Sequence, residues 1–248
     1  MIVVQNVYKK FGNITALHDV SFEIGKGEII GFLGQNGAGK TTLMRLLTGY
    51  LPATSGRVSV AGYDLQTQSL QARRKLGYLP ETPPLYPEMT VSEYLRYAAL
   101  LKEIPGPQVK LEVDRVLSEC ELQKVKGRVL GHLSKGFKQR VGIAQAIINN
   151  PDVLILDEPT NGLDPVQIQH VRRLIKNVER QRTVILSTHV LSEIELLAKR
   201  VIIIQAGRIL VDKPLTDLLN SSAGPGQAGL SQGSLEKAFL DIVRGEHE

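Results

Sequence analysis

The sequence predicts an α/β fold: a doubly wound, mostly parallel sheet interrupted by a helical insertion. Three observations predict it. Short apolar runs of strand character alternate with helical stretches near the N-terminus and again after Pro151. Between Val91 and Ile148 the apolar spacing turns helical. A glycine-rich turn, Gly34 to Gly39, stands between a continuous apolar run and a helical stretch.

The elements follow in order. Val20 to Ile24 alternates apolar and polar residues, so it reads as a half-exposed strand. Gly27 to Leu33 is an apolar run but for Glu28 and reads as a buried strand. A helix is expected from Lys40 to about Thr48, then a turn, then the strand "RVSVAG". "VSEYLRYAALL" and "QVKLEVDRVLSECEL" have helical spacing. A third helix follows, with Phe137, Val141, Ala144 and Ile148 on one face and Ser134 at the cap position. Beyond Pro151, "DVLILD", "TVILST" and "RVIIIQAGRILV" read as strands separated by helical stretches. Ser221 to Gly233 is a Gly/Ser-rich stretch expected to be a flexible linker, and residues 234–248 carry an amphipathic helix that docks.

The third helix of the insertion raises a question of charge. Lys135, Lys138 and Arg140 crowd its N-terminal end. That end already carries about +0.5 charge, so each nearby cation costs roughly 0.3–1 kcal/mol. Either these are solvated charges whose stems snorkel outward, or an anion belongs there.

Composition excludes several classes. Of 248 residues, 42% are hydrophobic and 22% charged, as in an ordinary soluble protein. The longest apolar runs, such as Val201 to Ile204, fall far short of the ~20 residues of a membrane span. The N-terminus lacks the charged segment of a signal peptide, so a cytosolic location is the default. Cys120 is the single cysteine, which rules out an intrachain disulfide; in register with Val113 and Val116, it reads as core filler. The net charge of +5 suits anionic partners, but no dense basic run and only 5% aromatic residues speak for nucleic acid.

Two motifs carry chemistry. "GQNGAGKTT" matches the phosphate-binding loop pattern: Gly34, Gln35, Asn36, Gly37, Ala38, Gly39, Lys40, Thr41 and Thr42. Its glycines let backbone N–H groups turn inward around phosphate oxygens, and the following helix adds its dipole. Lys40 can reach the β- and γ-phosphates, and the Thr41 hydroxyl can ligate magnesium. "VLILDEPT" is an apolar strand ending in paired carboxylates. Asp157 falls where ligands gather in open α/β sheets and is expected to hold magnesium. Glu158, one residue on, is free to polarise an attacking water.

The ordered set "GQNGAGKT", "LSKGF", "LDEPT", "GLD" and "STH" resembles the nucleotide-binding domain of ABC transporters, over Met1 to about Leu219. The resemblance implies a P-loop NTPase core: a mostly parallel sheet with an N-terminal antiparallel β region and an inserted α-helical subdomain. The ATPase domain is expected over 1–220, with core segments 1–84 and 151–220, the helical insertion at 85–150, a linker at 221–233 and a tail helix at 234–248. "LSKGF" takes the place of the family's signature loop, usually Leu-Ser-Gly-Gly-Gln, with Lys135 for the first Gly and Phe137 for the Gln. Family domains pair head to tail, so Ser134 and the Gly136 backbone are expected on the γ-phosphate held by a second chain. The positive pole and Lys135 would then meet an anion across the dimer seam.

Four further roles come with the resemblance. Glu81, in "YLPET", replaces the Q-loop Gln and is expected to ligate magnesium; the plain alternative is a polar loop residue. Asp164, in "NGLDP", would line the dimer seam as the D-loop Asp, or simply cap a helix. His189, in "LSTHV", would contact the γ-phosphate. Phe11, in "YKKFG", would stack on adenine, with Tyr8 as runner-up, or close a strand in the core. Together these imply ATP and magnesium as cofactors and an ATPase with Glu158, His189 and Lys40 as its catalytic groups. Partners would be a transmembrane permease and a second copy of this chain or a homologous subunit, placing the protein on the inner face of the cell membrane. The "GYLPE" and "SLEKAFL" stretches look like exporter ATPases, including those for drugs, antibiotics, sodium and polysaccharide and those of gliding motility. A non-hydrolysing regulator of a channel and a non-transport ATPase of the same head remain as alternatives.

Overall fold

In the computed structural model the described residues are 1–178, 182–222 and 235–244. The chain opens with β1 (Ile2–Phe11), β2 (Ile14–Ile24), β3 (Ile29–Leu33), α1 (Lys40–Leu47), β4 (Ser55–Val60), β5 (Tyr63–Asp64), α2 (Ser69–Arg74) and β6 (Leu76–Leu79). Three helices follow: α3 (Val91–Leu101), α4 (Gly106–Glu119) and α5 (Lys135–Ile147). The chain then returns through β7 (Val153–Asp157), α6 (Pro165–Val178), β8 (Thr183–Ser187), α7 (Leu191–Leu197), β9 (Arg200–Gln205) and β10 (Arg208–Pro214) to α8 (Leu215–Ser222) and α9 (Leu235–Arg244).

These strands make two sheets. The smaller is antiparallel, in the order β2-β1-β4-β5. The larger runs β10-β9-β3-β8-β7-β6, parallel except for the edge hairpin β9–β10. Alternation along the buried strands splits the core in two. Ile30, Phe32, Val153, Ile155, Ile185, Ile202 and Ile204 face the antiparallel sheet and α1. Ile29, Leu33, Leu154, Leu156, Val184, Leu186, Val201 and Ile203 face the other way, onto the packed helices.

Local chemistry explains the helix starts. Thr90 and Glu93 close a reciprocal capping box at α3, with Glu93 Oε2 accepting from Thr90 N at 2.8 Å. Ser134 caps α5, its Oγ accepting from Phe137 N at 3.4 Å. Val141, Ala144 and Ile148 are fully buried, and Phe137 packs half-buried against the same cluster. Gly77 lets α5 approach the edge strand β6: a Cβ there would stand 2.1 Å from the Ala146 carbonyl oxygen. Cys120 is buried core, and burial pushes its thiol pKa up.

Several expectations shift. The strand expected from Gly27 starts at Ile29, because Lys26 and Gly27 form the turn after β2. Ser221 and Ser222, expected at the start of the linker, close α8; residues 223–233 lie outside the described residues. The cationic crowd at the start of α5 is largely satisfied within the chain. Arg140 is buried, stacks 4.2 Å over the Phe137 ring and donates to the Glu121 carbonyl at 3.3 Å. Lys138 donates to the Gly131 carbonyl at 3.2 Å. Lys135 alone of the three is exposed. The tail helix α9 buries Leu235, Ala238 and Val243 and packs on α7 and α8. Among the described residues, no helix is long and apolar enough to cross a membrane.

Candidate functional site

Four adjacent parallel strands, β3-β8-β7-β6, deliver the glycine-rich loop, Glu81, Asp157, Glu158 and His189 to one end of the sheet. The glycine-rich loop follows β3, His189 follows β8, Asp157 ends β7 with Glu158 just beyond, and Glu81 follows β6. Register places Asp157 beside Ser187, and Ser187 beside Phe32. The carboxyl ends of parallel strands are where open α/β sheets bind ligands.

The loop geometry follows from two glycines. Gly34 lies so close to β9 that a Cβ would meet the Ile204 carbonyl oxygen at 2.4 Å. Gly39 precedes α1 at φ 106, outside the range of L side chains, and turns the chain into the helix. Lys40 is the first residue of α1, and its Nζ donates to the carbonyls of Gly34 at 2.6 Å and Gln35 at 3.2 Å. Burial lowers the Lys40 pKa, while Glu158, Asp157 and Glu81 act in the opposite direction.

A cleft of about 430 Å³ collects Gln35, Asn36, Gly37, Gly39, Lys40, Thr41 and Thr42 with Glu81, Glu158 and His189. His189 Nδ1 lies 2.9 Å from Glu158 Oε2. Glu158 is held in a left-handed conformation at φ 48, and its N–H donates to the Ser187 carbonyl at 2.8 Å. Asp157 lies beneath, 1% exposed, and neither carboxylate oxygen has a hydrogen-bond partner within range. Burial raises its pKa most; the neighbouring Ser187 hydroxyl, short of hydrogen-bond geometry, opposes, Glu158 and Glu81 add to the rise, and Lys40 opposes. A buried carboxylate with both oxygens unpartnered fits a hard cation. Among the described residues no three His, Cys, Asp or Glu side chains form a metal cage.

The remaining predicted residues stand elsewhere. Gly34 and Ala38 back the loop from inside: Ala38 is buried, and its carbonyl accepts from Gly207 N at 2.9 Å. Phe11 is 46% exposed at the β1–β2 hairpin end, with the Lys9 ammonium 5.0 Å from its ring. It does not line the cleft, and the core alternative for it is excluded. Ser134 is exposed at the start of α5, outside the cleft of its own chain. Gly136 is buried against α6, where a Cβ would meet Gln167 Oε1 at 2.3 Å. Asp164 is exposed and caps α6, accepting from Val166 N at 3.0 Å and Gln167 N at 2.9 Å.

Two lining residues were not predicted. Ala16 arrives from β2, a contribution of the tertiary fold with no local signal. Asn161 lines the cleft and donates through Nδ2 to Glu81 Oε1 at 2.8 Å. Glu81 and Asn161 also border a second cleft of about 310 Å³ that reaches Lys135. A third, of about 470 Å³ and lined by Arg45, Tyr50, Lys102 and Gln145, holds none of the predicted residues.

Residues 17–161 match the family model described as ABC transporter. The chain is similar to the bacitracin transport ATP-binding protein BcrA of Bacillus licheniformis, 39% identical over 88% of this chain and 71% of that one. It is also similar to the linearmycin resistance ATP-binding protein LnrL of Bacillus subtilis, 32% identical over 98% of this chain and 79% of that one. Among solved structures it resembles a dimeric, post-hydrolysis ATP-binding cassette bound to ADP and Pi, with a TM-score of 0.78 and 26% identity over 87% of this chain and 99% of that one.

Proposed function

Because the chain belongs to the ABC transporter family and is an ATPase of it, we propose that it powers an exporter through a separate membrane-spanning polypeptide. Segments 1–84 and 151–220 act as the ATPase core in this reading, and 85–150 as the inserted helical unit. Two relatives are named for bacitracin transport and linearmycin resistance. Those names support an antibiotic-type compound as the cargo and export as the direction. The working location is the inner face of the cell membrane, against the permease.

The observation that carries the reading is the single cleft holding Lys40, Thr41, Glu81, Glu158 and His189 around the glycine-rich loop. Backbone N–H groups of Gly37 and Gly39 wrap the phosphates of ATP. Lys40 exchanges its carbonyl partners for the β- and γ-phosphate oxygens. Magnesium, held by Thr41, Asp157 and Glu81, supplies charge neutralisation on the phosphates when bound. Glu158 accepts a hydrogen bond from the attacking water and aligns it with the γ-phosphorus. His189, half of whose side chain is exposed toward the cleft, stabilises charge on the γ-phosphate. Phe11 stacks on the adenine, a contact worth roughly 1–3 kcal/mol that tolerates other bases.

Ser134, Gly136 and Asp164 serve the nucleotide of a second copy of this chain. Ser134 and Asp164 are exposed and stand apart from the cleft of their own chain. The dimeric cassette to which this chain is similar supports such a pairing. Lys135 adds one positive charge at that seam. The test is steady-state ATP hydrolysis by the purified chain, with and without magnesium and with and without membranes holding the permease. Magnesium-dependent turnover that rises with the permease is expected; ATP occupancy without turnover in any arm contradicts the reading.

A further inference from the structure

Glu193 belongs to none of the motifs above, yet it is 1% exposed, in α7. Its Oε1 accepts a hydrogen bond from the Thr160 hydroxyl, also buried. Arg172, on α6, brings Nη2 to 3.8 Å from the same oxygen and donates to Ser192 Oγ at 3.3 Å. Glu193 Oε2 is buried without a hydrogen-bond partner among the described residues. Burying a carboxylate is unfavourable, and an apolar side chain would fill the same space without that cost. Packing alone therefore does not account for a glutamate here.

Connectivity gives the carboxylate a task. Thr160 lies two residues beyond Glu158, and Glu193 four residues beyond His189. The same two chain segments are thus tied twice, once at the Glu158–His189 contact of 2.9 Å and once at Thr160–Glu193. The first tie is half in solvent, with the His189 side chain 51% exposed. The second is buried, and next to it Ile194 packs α7 onto β3 at Gly31. A half-exposed imidazole is not oriented by packing around it, so its direction follows from where α7 begins.

We propose that Glu193 is a positioning residue: through Thr160 and Arg172 it pins the start of α7 and so sets His189 against Glu158. The proposal rests on the reading of Glu158 and His189 given above.

The test uses the full chain with magnesium and ATP, and mant-ATP fluorescence for affinity. Glu193→Ala is expected to lower kcat by about 10- to 100-fold, the scale of a small misplacement of a reacting group. KM and mant-ATP affinity stay within about twofold, because ground-state binding is not what the tie supports. Thr160→Ala does the same, and the double variant is no worse than the poorer single one. Glu193→Gln, which keeps an acceptor for Thr160, recovers to within about threefold. The His189 ring proton signals of the nucleotide-free chain shift in Glu193→Ala and return in Glu193→Gln.

A near-normal kcat in Glu193→Ala overturns the proposal. So does a parallel loss of kcat, affinity and melting temperature with unmoved His189 signals, which marks a structural role only. If Glu193→Ala does not fold, Thr160→Ala against Thr160→Ser decides the same point. Glu158→Gln and His189→Ala run alongside. Normal turnover in those two sinks the underlying reading, and with it the proposal. Loss in those two with none in Glu193→Ala sinks the proposal alone.

Discussion

His189 Nδ1 meets Glu158 Oε2 at 2.9 Å, although the two residues leave the ends of different strands, β8 and β7. In the proposed function the contact ties the group that would align water to the group that would face the γ-phosphate. Replacing Glu158 by Gln removes the charge and keeps the shape. Glu158→Gln is expected to lower turnover by about 100-fold or more while ATP affinity is retained. In the proposed pairing, ATP that is not hydrolysed holds two chains together, so size-exclusion chromatography of this variant with ATP should show a dimer. Turnover at the wild-type rate removes Glu158 from its role.

Glu81, which the resemblance sets in place of a Gln, accepts from Asn161 Nδ2 at 2.8 Å. Glu81→Gln keeps that acceptor and removes one negative charge beside the proposed magnesium site. The magnesium concentration for half-maximal hydrolysis is expected to rise by about 3- to 10-fold, since fewer charged ligands weaken a hard-cation site. An unchanged magnesium requirement returns Glu81 to the status of a polar loop residue.

Gly77 faces the Ala146 carbonyl oxygen, and a Cβ would sit 2.1 Å from it, with Pro151 Cγ at 3.0 Å. Backbone on α5 cannot move away without disturbing the helix that carries Ser134. Gly77→Ala is expected to destabilise the fold by about 1–3 kcal/mol, the usual cost of overpacking. Urea denaturation reads this as a lower midpoint at unchanged slope.

Lys102 donates to the Leu76 carbonyl of the edge strand at 3.1 Å, and burial, with a smaller push from Arg73, lowers its pKa. A folded pKa below the unfolded value means the folded state binds fewer protons. The penalty is complete below the folded pKa and vanishes as pH approaches about 10.5. Wild-type stability therefore rises with pH through that window on account of this residue. The melting-temperature difference, Lys102→Met minus wild type, is expected to fall as pH rises from about 7 to about 10.5. A flat or rising difference contradicts the burial argument.

The groups of the site were legible in the sequence wherever one short segment carries the chemistry. Lys40, Asp157 and Glu158 lie in runs whose strand, turn and helix signals are local, and the fold brings them to one sheet end. What sequence could not show depends on strand order and tertiary approach. Ala16 reaches the cleft because β2 packs there, and Asn161 matters because Glu81 arrives from a strand too short to announce itself. The charges in the first turns of α5 read as one cationic group, but the fold turns Arg140 inward to Phe137 and Glu121. Glu193 carries no motif at all; only its burial beside Thr160 and Arg172 singles it out.

The reading depends on a site completed by a second copy, because Ser134 and Lys40 of one chain do not share a cleft. Specific ATPase activity against chain concentration tests this most directly. A composite site requires activity per chain to rise with concentration, steeply at first, and to level off as pairing saturates. Activity per chain that stays constant down to concentrations where only single chains exist would contradict it.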